Sequence, residues 1–220
     1  MHTLSFLQPH PLVDAVDGKS LGAPAGPGDG DADAFGLLYD RFQPEIVRYL
    51  AHRVGAPPDY YNPLGQNWGL PPLLPDALVR QRFAHYISLL RSNMQQCGAL
   101  RIDHVMALLR LFWIPDGMSG AEGGYVRNAF EDLVNILALE STRHRCMVIG
   151  EDLGSVPEGL RPRLHDCGLL SYRVLIYERH WQGDGSFCHP HEYPPQSLAT
   201  VATHDMAPLA EFWAGGDVER

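Results

Sequence analysis

Arg101, Asp103 and His104 fall within the stretch LRIDHV, where a cation, a carboxylate and an imidazole interrupt an aliphatic run. A buried carboxylate without a partner costs several kcal/mol, so such a cluster is either paired for structure or placed for chemistry. The pattern recurs along the chain. Glu151 with Asp152, Glu178 and Asp205 each close an apolar, strand-like run on an acidic residue. Two carboxylates facing each other in different environments are the machinery of glycosidic bond cleavage. One must be ionised to act as a nucleophile, and the other must hold a proton near neutral pH. Arg101 lies two residues before Asp103, on the same strand face, and is placed to keep that aspartate charged. Glu151 sits between MVIG and Leu153, an apolar setting that raises a carboxyl pKa.

The elements that must position these groups alternate. The spacing of Leu78, Phe83, Ile87, Leu90 and Met94 predicts a helix over 76–97. ALRIDHV reads as a strand, 127–144 as an amphipathic helix, and RCMVIGED as a second strand. A short helix over 157–166 has Ser155 as its expected N-cap and Gly168 as its stop. SYRVLIYE and LATVATHD complete the set as a third and a fourth strand. Strand and helix in alternation indicate an α/β fold with a parallel sheet, doubly wound or barrel. In both forms the ligand site lies beyond the carboxyl ends of the strands, which would bring the acids to one mouth.

Ahead of this pattern, residues 55–75 form a Pro- and Gly-dense loop, a length that is usually functional. Its Tyr60, Tyr61 and Trp68, with Gln66 and Asn67, are types that stack on sugar rings and hydrogen-bond hydroxyls. Other candidates are weaker. His180, Cys188, His189 and His191 fit no zinc spacing and read as a surface loop, so no metal is expected. The Met and Leu stripe over 105–113 reads as core or cleft wall, and GAEGGYV lacks what a phosphate loop needs.

The 220 residues suffice for one domain or a piece of a larger one, and 45% apolar residues can build a core. A formal net charge of −9 argues against a nucleic-acid footprint and suits a neutral substrate. Four separated cysteines, no signal-peptide pattern and no long apolar run lead to a cytoplasmic chain without a membrane partner.

Taken together, GAPPD, GQNWGLPP, CGALRIDHVMALLRLFWIP, LALESTRHRCMVIGEDLGSVP and ATHD resemble the 4-alpha-glucanotransferases called amylomaltases, glycoside hydrolase family 77. The resemblance covers roughly residues 54–215. It implies a (β/α)8 barrel and retaining transfer between α-1,4-glucans (maltodextrins and maltose, with glucose as an acceptor), without a cofactor or metal. It also implies that Asp103 is the nucleophile, Glu151 the general acid/base and Asp205 a transition-state stabiliser that holds sugar hydroxyls. Arg101, His104 and His204 resemble residues that orient these acids. Asp59 belongs to the GAPPD signature, and Tyr60, Gln66 and Trp68 match a loop that helps exclude water. The sequence MAPLAEFW after Asp205 departs from the leucine-proline-threonine more usual there.

The expected organisation has three parts. Residues 1–34 read as a disordered N-terminus and linker, 35–54 as an amphipathic helical segment, and 55–220 as a partial (β/α)8 barrel with about half of its strands. Four strand units fall short of the eight strands and ~250 residues of a closed barrel, so low activity of the chain alone is expected. Residues 31–55 resemble the first helices of an extracytoplasmic-function sigma factor. The alternative is therefore a non-catalytic chimera whose N-terminus contacts RNA polymerase.

Overall fold

The computed structural model describes residues 2–4, 52–59, 62–204 and 206–215. In chain order the strands are β1 (His2–Leu4), β2 (His52–Ala56), β3 (Gln66–Asn67), β4 (Ala99–Ile102), β5 (Arg110–Pro115), β6 (Gly124–Arg127), β7 (Met147–Gly150), β8 (Leu170–Val174) and β9 (Ser197–Thr200). The helices are α1 (Pro75–Arg80), α2 (Ala84–Met94), α3 (Phe130–His144), α4 (Leu160–Asp166) and α5 (Leu209–Trp213). They divide between two compact units: Met1–Phe6 with Leu78–Leu109 and Asn128–Arg220, and Leu7–Ala77 with Arg110–Arg127.

The first unit is built on a five-stranded sheet in the order β1-β4-β7-β8-β9, with every pair parallel. Leu100, Ile102, Val148, Ile149 and Val174 are buried, as expected of parallel strands covered on both faces. Helices of this unit bury one stripe each: Tyr86, Leu90 and Met94 on α2, and Leu133, Val134, Leu137 and Glu140 on α3. Glu131 and Asp132 in the first turn of α3, and Arg143 and His144 in its last, complement the helix dipole. Strand β1 falls in the segment expected to be disordered, yet pairs with β4 in the register His2↔Leu100.

The helix expected over 76–97 is broken. Arg82 and Phe83 adopt left-handed conformations, and the amides of Arg82 and Phe83 close back on the carbonyls of Val79 and Leu78. That double closure is a Schellman ending, here without a glycine. The apolar spacing carries the trace of it: Leu78 to Phe83 is one residue longer than a helical step. Helix α4 likewise starts at Leu160 behind a left-handed Gly159, so Ser155 does not cap it, whereas Gly168 stops it as expected.

The second unit is an antiparallel sheet in the order β3-β2-β5-β6, which the sequence reading did not foresee. β2 takes up His52–Val54 from the expected helical segment and straddles its boundary with the barrel. The remainder of that segment, residues 35–51, lies outside the described residues. Part of the 55–75 loop is the β2–β3 hairpin. Gly55 is required there, because a Cβ would run into the Gln66 carbonyl. The 105–113 stripe splits into a buried 3-10 turn over Val105–Leu108 in the first unit and the start of β5 in the second.

Candidate active site

β4 and β7 run side by side with Ile102 opposite Gly150, so Asp103 and Glu151 are the next residues at the carboxyl ends of adjacent strands. The chain then turns sharply at His104, whose φ of 48° is left-handed. That turn aims the His104 amide at Glu151, where it donates to Oε2 at 2.7 Å, while the Leu153 amide donates to Oε1 at 2.8 Å. The backbone knits the two ends as well: Glu151 N–H donates to the Ile102 carbonyl and Val105 N–H to the Glu151 carbonyl, each at 2.9 Å. Gly150 lets this happen. A Cβ there would stand 3.0–3.2 Å from three carbons of Val105.

Arg101 is 6% exposed, with its guanidinium 5.2 Å from the centroid of the Tyr172 ring. Its Nη1 lies 2.6 Å from Oδ1 of Asp103, a charge contact between side chains on one strand face, as the spacing predicts. Asp103 keeps more exposure, 28% of its side chain, so a substrate can reach it. Glu151 is 8% exposed. Burial pushes its carboxyl above the usual range and the Asp103 charge adds to this, while the Leu153 and His104 amides and Arg101 pull the other way. Burial also lowers the His104 imidazole, which the Asp103 charge partly offsets.

Asp152, grouped with Glu151 in the sequence, does different work. Its Oδ1 accepts the Tyr172 amide at 2.9 Å and its Oδ2 accepts Arg161 Nε at 2.6 Å; Arg161 also donates to the Asp152 carbonyl. Adjacent residues at a strand end thus point to opposite sides, one toward the pair with Asp103 and one tying α4 to β8. Arg161, Tyr172 and Gly150 support the site without having been singled out from sequence. Only the glycine of VIGED left a signal.

The other candidates are distributed as follows. Glu178 is not at a strand end, because β8 stops at Val174; it lies in the turn beyond and approaches Arg173 at 3.5 Å. β9 stops at Thr200, and His204 follows in an exposed turn; Asp205 lies outside the described residues. In the second unit, Gln66 and Trp68 are brought together, with Trp68 Nε1 donating to Gln66 Oε1 at 2.9 Å. Asp59 is exposed and accepts the Asn62 amide at 2.6 Å in a local turn, and Tyr60 lies outside the described residues.

Residues 40–220 match the family model of glycoside hydrolase family 77, described as 4-alpha-glucanotransferase. The chain belongs to this family. A 4-alpha-glucanotransferase of Haemophilus influenzae is 48% identical over 166 residues, which are 76% of this chain and 23% of the relative; one from Mycobacterium tuberculosis is 40% identical over 166 residues. The crystal structure of amylomaltase from Corynebacterium glutamicum superposes with a TM-score of 0.73 at 36% identity, over 80% of this chain and 25% of that one. An amylomaltase from Streptococcus agalactiae, solved with acarbose, shares the fold at a TM-score of 0.62 and 23% identity. The chain therefore spans about a quarter of the length of these relatives, and its α/β unit with a parallel sheet shares the fold of the matching part of these amylomaltases, as a partial barrel would. The family match takes in residues 40–54 of the segment behind the sigma-factor likeness, and the comparisons lend that alternative no support.

Proposed function

We propose that this chain carries the nucleophile and the acid of a cytoplasmic 4-alpha-glucanotransferase that moves α-1,4-glucan segments to the 4-hydroxyl of an acceptor glucan or glucose. Asp103 attacks the anomeric carbon while Glu151 protonates the departing glycosidic oxygen, leaving a glucosyl ester on Asp103. Glu151, now ionised, takes the proton from the acceptor hydroxyl, which displaces Asp103 with overall retention. Arg101 holds the Asp103 carboxylate in place through the 2.6 Å contact, and the His104 amide fixes the Glu151 carboxyl. Asp205 holds sugar hydroxyls, and His204 helps to orient the acids. Asp59, Tyr60, Gln66 and Trp68 bind glucan and limit the access of water.

The observation that supports this reading best is the contrast within the pair: a buried carboxyl held above its usual range, next to an accessible one 2.6 Å from a guanidinium. The test completes the barrel with the flanking segments of the Haemophilus influenzae relative and measures glucose release from maltotriose. Asp103→Asn should lower turnover at least ~1,000-fold, within the range typical of losing such a group. Turnover that survives this substitution ends the assignment of Asp103.

A further inference from the structure

The connection between β8 and β9 leaves the sheet at the same end as Asp103 and Glu151, and it folds on itself. Arg179 bridges Phe187 in antiparallel fashion, His180 N–H donates to the Ser186 carbonyl, and Cys188 N–H donates to the Glu178 carbonyl. In that register Glu178, His180, Ser186 and Cys188 share one face, with His180 and Cys188 as diagonal neighbours. The Arg179 guanidinium stacks over Phe187 on the other face, at 3.9 Å. A 3-10 turn over Pro190–Glu192 then carries Glu192 back, its carboxylate held by the His189 amide.

His180 is thereby flanked by two further donors. Cys188 Sγ lies 3.9 Å from its Nδ1, and Glu192 Oε1 lies 3.7 Å from its Nε2. One donor atom from each of the three residues falls within 4.8 Å of the others. Ligands around tetrahedral zinc stand about 3.3–3.8 Å apart for bonds of ~2.0–2.3 Å, and only one imidazole nitrogen can bind a given ion, so side-chain rotation must draw the three donors in from within 4.8 Å. A fourth partner is waiting. The Tyr193 hydroxyl oxygen, on the residue after Glu192, is buried without a hydrogen-bond partner among the described residues.

We propose that His180, Cys188 and Glu192 bind a zinc-class divalent cation, with water as the fourth ligand hydrogen-bonded to Tyr193. A nitrogen, a sulfur and a carboxylate oxygen are the donor mixture that suits this borderline ion. Linear spacing argued against a site here, but the hairpin pairing supplies the proximity that spacing lacks. Burial first, and then the charges of Glu192 and Glu178, raise the Cys188 thiol; a bound cation takes the thiolate and releases its proton to solvent. The ion would staple the 175–196 connection, independently of the transfer chemistry.

Calorimetric titration of the intact, untagged chain with zinc chloride tests this. One equivalent should bind with release of one proton, read from the dependence of the heat on buffer ionisation. Cobalt(II) should give a thiolate charge-transfer band. Cys188→Ser and His180→Ala should each weaken binding by more than the roughly 10–100-fold typical of outer-shell losses, with unchanged circular dichroism. Cys97→Ser should leave binding intact. No binding by the folded chain, binding undiminished in Cys188→Ser and His180→Ala, or loss only in Cys97→Ser would each overturn the proposal.

Discussion

Two buried glutamates in the parallel-sheet unit teach opposite lessons. Glu140, on the inner face of α3, is 1% exposed, and Glu151, past the end of β7, is 8% exposed. Around Glu140 the partners are cations: Arg91 binds both carboxylate oxygens at 2.9 Å and Arg143 binds Oε1 at 2.8 Å. These hydrogen bonds, Arg91 first, hold the Glu140 carboxyl below its usual range despite burial. Around Glu151 the donors are backbone amides and the nearest charge includes Asp103, so burial prevails and the carboxyl rises. Depth alone does not decide the charge; what donates to the oxygens does. The first glutamate locks two helices together, and the second is left able to exchange a proton.

Removing the exchangeable proton should have the largest effect. In the completed barrel, Glu151→Gln is expected to lower kcat on maltotriose by ~100–10,000-fold. Its amide nitrogen would also face one of the two backbone donors. Glu140→Gln should leave kcat nearly unchanged but reduce stability by about 1–3 kcal/mol in urea denaturation. Arg91 and Arg143 are half-exposed and regain water, which limits the loss.

The pH dependence should then separate the two in sign. Glu140, with its folded pKa depressed, stabilises above the ordinary carboxylate range, and that contribution disappears as pH falls through its folded value. Glu151, with its folded pKa raised, favours the fold fully below its unfolded value and loses that contribution as pH rises through its folded one. Comparing each Gln variant with the parent from acid to neutral pH reads both slopes, and parallel slopes would break the comparison. The smallest effect is electrostatic: Asp103→Asn should lower the titration midpoint of Glu151, observed by carbon NMR of the side-chain carboxyl, because the Asp103 charge raises it.

Much of the parallel unit was legible because its strands are continuous apolar runs and its helices carry clear stripes. The acid pair was legible for the same reason, since Asp103 and Glu151 follow those runs directly. Legibility failed where the signal is not local. Glu178 seemed a strand end only because LIY continues the apolar pattern after the chain has turned at Val174. The antiparallel sheet went unseen because β2 is five residues on the tail of a helical periodicity, and β5 is embedded in a longer stripe. Glu140 had a trace of its own, an acid in step with Leu133 and Leu137 on the buried face of α3, but its cations come from distant positions. The nearness of His180 to Cys188 depends on hairpin register, which spacing does not encode.

Gly150 has a practical consequence for anyone altering this protein. A methyl group at that position would press on three side-chain carbons of Val105, which must give by a few tenths of an ångström, and the amides of Val105 and His104 are expected to shift with it. Weaker amide donation leaves the Glu151 proton more tightly bound. Gly150→Ala is thus expected to act as an indirect dial on the proton affinity of the residue that follows it, set by a position with no polar side chain at all.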